Sequence, residues 1–192
     1  SFYPEKGKAR IRAMIETRPD WCISRQRSWG VPLPIFVNKK TNEPLRDKDV
    51  IENIAKIYEK EGSDCWFYDD PQRFLGNKYK KEDYIKSSDI VEVWFDSGST
   101  HSFVLEKRKD LKWPASMYLE GSDQHRGWFH SSLLESCGTR GRAPFESILS
   151  HGFVVDGKGM KMSKSAGNII SPEEILKKYG ADILRLWVAS SD

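Results

Sequence analysis

The clearest pattern in the chain lies in residues 48–61, where Val50, Ile51, Ile54, Ile57 and Tyr58 recur at steps of three and four between charged positions. That period puts them on one face of an α-helix. Asp47 stands where a side chain can accept from the first free backbone N–H groups, and Gly62 marks the stop. A second helix is expected over residues 6–17, from Ile11, Met14 and Ile15, with Pro19 closing it. Further on, Ser171-Pro172-Glu173-Glu174 reads as a capped helix start, Gly180 as its end, and residues 181–188 as another helix.

Extended segments fall between these. Residues 21–23 read as a strand start running into a basic, aromatic turn, and residues 31–37 as an extended run whose prolines suit a sheet edge. Cys65-Trp66-Phe67-Tyr68 predicts a short strand, and residues 90–99 an apolar strand breaking into a turn. Ser116 to Leu119 is a strand, followed by a helix through Ser131 to Cys137 that Gly138 stops, with Ser122 or Asp123 as its simplest cap. Residues 147–156 form a last strand, bent at Gly152.

The succession of strand, helix, strand and glycine-rich loop predicts an α/β fold, the second half of a doubly wound, Rossmann-like parallel-sheet nucleotide-binding domain. Three segments are expected. Residues 1–37 begin the half-domain, residues 38–89 form a small polar α+β insert without identifiable chemistry, and residues 90–192 carry the rest and the start of a helical region.

Composition narrows the class. Among 192 residues, 31 basic against 28 acidic side chains leave a net charge of +3, so any RNA contact must come from local patches rather than a basic coat. Cys22, Cys65 and Cys137 lie far apart, form no metal-type pair, and suit a reducing cytosol better than a disulfide framework. No zinc site is expected, and no apolar run is long enough to cross a bilayer. The chain starts at Ser1 and stops at Asp192 just after an apolar helical pattern, and it reads as a piece of a longer protein.

Candidate chemistry concentrates in Gly157-Lys158-Gly159-Met160-Lys161-Met162-Ser163-Lys164-Ser165-Ala166-Gly167-Asn168. Three lysines recur every third residue with no acid between Lys158 and Asn168, in a run whose glycines favour a movable loop over a helix. Ammonium groups suit a polyanion such as a triphosphate. A second cluster is Glu120-Gly121-Ser122-Asp123-Gln124-His125, delivered by a strand into a helix start, where carboxylates, an amide and backbone N–H groups can hold ribose hydroxyls, an ammonium and a phosphate. Capping explains one of those residues but not the set. Trp94 adjoins a strand end, where ligands bind in open α/β sheets, and reads as a pocket wall. Two readings stand for Arg25 and Arg27 with Trp21 and Trp29: phosphate and base contact, or capped turn and core. Lys78-Tyr79-Lys80-Lys81 reads as a solvated loop.

Lys161-Met162-Ser163-Lys164-Ser165 matches the KMSKS signature of the class I aminoacyl-tRNA synthetases. Residues 23–30, 93–98 and 118–129 resemble the isoleucyl-tRNA synthetase branch of that family, with Glu92 where aspartate is more usual. The resemblance implies ATP-dependent activation of L-isoleucine to isoleucyl-adenylate and transfer to tRNA(Ile) in the cytoplasm, with Mg²⁺ accompanying ATP. It makes Lys161 and Lys164 the catalytic cations, with Met162 and Ser163 also at ATP. Glu120, Gly121, Asp123 and Gln124 would bind the adenylate, and Trp94 and Trp128 would wall the isoleucine pocket. The family's His-Ile-Gly-His signature is absent, since the histidines are His101, His125, His130 and His151. The chain therefore corresponds to the C-terminal half of the catalytic domain, after the editing insertion, without the anticodon-binding region, and is expected to be inactive alone. Two other classes compete: a tRNA- or nucleotide-binding module using Arg25, Arg27 and the Lys78 to Lys81 cluster, and a nucleotidylyltransferase of the same fold.

Overall fold

The computed structural model describes residues 1–191; Asp192, the last residue of the third expected segment, lies outside them. In chain order the elements are β1 (Phe2–Tyr3), α1 (Lys6–Glu16), β2 (Ser24–Arg25), β3 (Phe36–Asn38), α2 (Lys48–Glu61), α3 (Cys65–Tyr68) and α4 (Pro71–Leu75). They continue with β4 (Tyr84–Lys86), β5 (Ile90–Val91), α5 (Val93–Gly98), β6 (Tyr118–Gly121), α6 (Trp128–Arg140), β7 (Ile148–His151), α7 (Pro172–Tyr179) and α8 (Ala181–Ser190).

One sheet has the order β1-β7-β6, with β1 parallel to β7 through Phe2 opposite Ile148 and Tyr3 opposite Leu149. The pairs β2–β5 and β3–β4 are antiparallel. The chain divides into two compact units, residues 1–118 with 123–149, and residues 119–122 with 150–191.

The larger unit holds two apolar clusters. Ile11 of α1 packs with Tyr118, Phe129, Phe145 and Ile148, with Phe2 and Ile15 at the margin. The second cluster, Phe36, Val50, Ile54, Cys65, Trp66, Phe74 and Leu75, lies within the polar segment and its border. Helix α2 has the bounds expected, because cap, stripe and stop agree: Asp47 accepts from the Asp49 N–H at 2.9 Å, and Gly62 ends it at φ 84°. Ile51 is the exception to its stripe, 56% exposed. In the smaller unit, Ser171 caps α7 through the Glu173 N–H, and Gly180 at φ 80° separates α7 from α8.

Several expectations are corrected. Residues 65–68 form one helical turn rather than a strand: the Cys65 thiol donates to the Gly62 carbonyl at 3.1 Å, and the turn buries both Cys65 and Trp66. A four-residue apolar run has no readable period, so the fit to the cluster decides its conformation. The strand at residue 90 ends after Val91, because the Glu92 carboxylate accepts from the Trp94 N–H at 2.9 Å and starts helix α5 where a turn was expected. Strand β2 begins at Ser24 instead of Trp21, β6 at Tyr118 instead of Ser116, and β7 is confined to residues 148–151. Helix α6 passes through Gly138 and stops at Gly141, whose φ of 70° is the left-handed conformation a helix end uses.

Candidate active site

The lysine loop is a structured turn. Val155 bridges Lys161, the Asp156 N–H donates to the Met160 carbonyl at 2.8 Å, and the Met162 N–H donates to the Val154 carbonyl at 3.0 Å. Two side chains lock the backbone. Asp156 Oδ1 accepts from the Lys158 and Met160 N–H groups, both at 2.9 Å. Asn168 accepts from the Ser163 N–H at 3.0 Å while its own NH₂ donates to Asp156 Oδ2 at 2.9 Å and to the Lys161 carbonyl at 3.3 Å. These donors hold the Asp156 carboxyl below the usual aspartate range, the Asn168 amide first among them. Gly159 and Gly167, at φ 76° and 66°, supply the left-handed residues that the turn needs.

The cations on this frame differ. Lys161 lays its ammonium 3.5 Å from the Phe153 ring centroid, a cation–π contact. Lys164 is exposed, and among the described residues no acid pairs with it. Met162 and Ser163 are half-buried, and the Ser163 hydroxyl accepts from the Ala166 N–H.

Glu120 and Gly121 lie at the carboxyl end of β6; Asp123 and Gln124 lie in the short 3₁₀ segment Ser122–Arg126 that follows. Glu120 and Asp123 are exposed. Neither Ser122 nor Asp123 caps α6. Gly127 occupies that position, and Gln124 Oε1 accepts from the Trp128 N–H at 2.8 Å. Gln124 is thus committed in part to the fold. His125 faces the core, 1% exposed and edge-on to Phe129.

Trp94 and Trp128 belong to α5 and α6 of the larger unit. Trp94 is 42% exposed. With Arg18, Trp21, Arg126, Gly127, His130 and Ser131 it lines a cavity of about 100 Å³. Trp128 is more enclosed: its ring stacks on Tyr118 at 4.1 Å, and its indole N–H donates to the Ser97 carbonyl at 2.9 Å. Sequence reasoning missed Arg18, Arg126 and His130 in this cavity. Arg18 sits 4.8 Å over the Trp21 ring and lies 3.2 Å from His130 Nε2. A guanidinium has only donors, so His130 Nε2 must accept and the imidazole is neutral. Burial first, then the Arg18 charge, lower its pKa in agreement. Arg126 could have been noticed beside Gly127, but Arg18 comes from a distant segment. The cavity offers a cationic, aromatic lining of the kind that accepts a small anion or a planar group.

The other basic residues singled out in the sequence serve the fold. Arg25 donates to the Cys22 and Ser24 carbonyls at 2.6 and 2.7 Å, and Arg27 to the Gln26 carbonyl. Lys78 pairs with Asp47 at 2.5 Å and Lys81 pairs with Asp70. Trp29 is fully in solvent rather than in a core.

A family model described as tRNA synthetases class I (I, L, M and V) matches residues 1–192. The chain belongs to that family. Isoleucine–tRNA ligase of Pelagibacter ubique is 83% identical over 191 residues, spanning all of this chain and 21% of the relative. Isoleucine–tRNA ligases of Zymomonas mobilis and Brucella abortus are each 58% identical over 192 residues, again all of this chain and 20% of theirs. The chain therefore spans about a fifth of the length of the curated relatives it matches. Among solved structures, LeuRS of Agrobacterium radiobacter K84, in a ternary complex with tRNA and LeuAMS, superposes with a TM-score of 0.60 at 20% identity, covering 94% of this chain and 27% of that one. That likeness shows the fold of this class I synthetase segment. Among the described residues no helix is long and apolar enough to cross a membrane.

Proposed function

We propose that this class I synthetase segment belongs to an isoleucine–tRNA ligase, in which it supplies the pyrophosphate-side lysines and the adenylate-side acid and amide groups. In the reaction, an isoleucine carboxylate oxygen bonds to the α-phosphorus of ATP as the bond between that phosphorus and the bridging oxygen breaks. Pyrophosphate leaves with the electron pair. The acyl group of isoleucyl-adenylate then passes to the terminal ribose of tRNA(Ile), releasing AMP. Mg²⁺ arrives with ATP as part of the substrate. No enzyme nucleophile is required, so positioning and charge stabilisation carry the displacement.

The observation that carries this reading is the division of labour in the lysine turn. Asp156 and Asn168 fix the backbone, while Lys164, like Lys158, stays exposed with no acid among the described residues to neutralise it. Lys164 would contact the departing phosphates, with Lys161 and the Met162–Ser163 backbone beside it. Glu120, with Gly121, Asp123 and Gln124, would bind the adenylate, and Trp94 and Trp128 would bound the side-chain pocket. Such a pocket discriminates weakly between side chains one methylene apart, isoleucine against valine being the standard instance, so editing residues would lie outside this chain. The tripartite division, with residues 38–89 as an insert, is part of the same reading and draws support from the separate cluster around Trp66. The relatives' names support isoleucine as the amino acid, and protein synthesis supports the cytoplasm as the compartment.

A bare binding module draws less support, because most of the basic groups it would use are engaged: Lys78 and Lys81 by acids, Arg25 and Arg27 by carbonyls. Isoleucine-dependent ATP–pyrophosphate exchange by the full-length protein tests the proposal. Exchange with isoleucine as the preferred amino acid is expected; exchange driven by another amino acid overturns the assignment.

A further inference from the structure

Helix α6 turns one face towards α5, and that face is polar. Trp128, Ser131 and Glu135 follow at steps of three and four, which aligns them along one stripe. At its start, the Trp128 indole holds the Ser97 carbonyl, and a methyl group on Gly127 would lie 3.0 Å from the Trp94 ring. At its far end, Glu135 fills the space that a Gly98 side chain would occupy: a methyl there would collide with Glu135 Oε1 and lie 3.0 Å from Ser131 Oγ. Oε1 is itself buried with no hydrogen-bond partner among the described residues.

Among the described residues, the charge that acts on this carboxyl is that of another acid. Asp96 approaches from α5, Tyr118 from β6, and Glu92 stands next to Asp96. His101, beyond α5, uses Nδ1 on the Gly98 carbonyl at 3.0 Å. Burial first, then the Asp96 charge, push the Glu135 carboxyl up to about 8. Burial, then Glu92, also raise Asp96. As a neutral acid Glu135 packs against Gly98; as a carboxylate it would place an unpartnered charge beside two others.

We propose that Glu135 is a positioning residue that seats the end of α5 on α6 and thereby sets Trp94 against Gly127. The inference rests on the isoleucine-activation reading above and deepens it, because it names what holds the Trp94 wall of that pocket in place. Deprotonation loosens the Gly98 end of α5, and the Trp94 wall moves with it.

The test uses the full-length ligase in ATP–pyrophosphate exchange across about pH 6.5 to 9.5, with KM measured separately for isoleucine and for ATP. If only the neutral state is competent, the apparent KM for isoleucine rises by about tenfold from pH 7 to pH 9, while the KM for ATP follows no such step. Glu135→Gln, which cannot ionise, should abolish the isoleucine step. Gly98→Ala should raise the isoleucine KM at pH 7, and Glu135→Ala on that background should lower it again. An isoleucine step that persists in Glu135→Gln, or a Gly98→Ala enzyme with an unchanged isoleucine KM, overturns the positioning role. Absence of any isoleucine-dependent exchange by the unmodified enzyme is a different failure: it overturns the activation reading and the positioning role with it.

Discussion

A lysine that pairs with no acid among the described residues is available to an anionic ligand, and Lys164 is such an exposed cation on a turn whose backbone Asp156 and Asn168 fix. Lys164→Ala in the full-length protein should lower isoleucine-dependent exchange by about 10²–10³-fold, the usual effect of removing one preorganised charge-stabilising donor. Its circular dichroism should match that of the unmodified protein. A rate within a few-fold of the original removes Lys164 from the mechanism. Asn168 makes a different prediction, since its amide ties together Ser163, Asp156 and Lys161. Asn168→Ala should leave the lysines in place but free their backbone. Limited proteolysis should then cut faster within residues 157–168, and exchange should fall mainly in kcat, with the urea midpoint of the whole unchanged. Equal proteolysis rates would show that the turn does not depend on this amide. The lysines were legible in the sequence as an acid-free basic run. The anchors were not, because Asp156 and Asn168 are twelve residues apart and neither lies on a periodic pattern.

At the scale of elements, what could be read was whatever several local signals agreed on. Helix α2 has a cap, an apolar stripe and a glycine stop, and its bounds came out residue for residue. Helix α7 had a cap, early acids and a glycine stop that agreed. Helices α3 and α5 are four and six residues long and rich in aromatic and β-branched residues, so composition favoured strands. What decided them was a cap from Glu92 in one case and burial of a complete indole in the other, and the second of these is invisible before the chain folds. Trp66 shows how much such burial counts. It is fully enclosed between Phe36 and Phe74, at centroid distances of 5.0 Å each, and its indole N–H donates to the Ser87 carbonyl at 2.8 Å. Trp66→Ala should destabilise the fold by about 3–5 kcal/mol. Trp66→Phe should destabilise it less, through the smaller ring and the unpaired Ser87 carbonyl. Urea denaturation measures both; a neutral Trp66→Ala would mean that the cluster around it contributes little to stability.

For the molecule as a whole, the order of elements was enough to place the chain in the α/β class, because a strand–helix–strand crossover beside a glycine-rich loop has few folds open to it. The partition into two units could not be read: Leu119–Ser122 sorts with residues after 149 although its neighbours on both sides sort with the rest. That partition depends on spatial contacts, and no composition shift marks it. The wider consequence concerns activity. The 192 residues carry the lysine signature but not the His-Ile-Gly-His signature that the family pairs with it, and they span about a fifth of their relatives. The proposed displacement at the α-phosphorus would draw its rate from several donors preorganised around one phosphate, and a subset of donors would forfeit most of the effect. The isolated 192-residue chain should therefore show no isoleucine-dependent ATP–pyrophosphate exchange above background. Exchange should return when the full-length protein is used under the same conditions. Exchange by the isolated chain at a rate comparable to that of the full-length protein would mean that the lysine turn and the Glu120 to Gln124 segment suffice, and that the histidine signature is dispensable for adenylate formation.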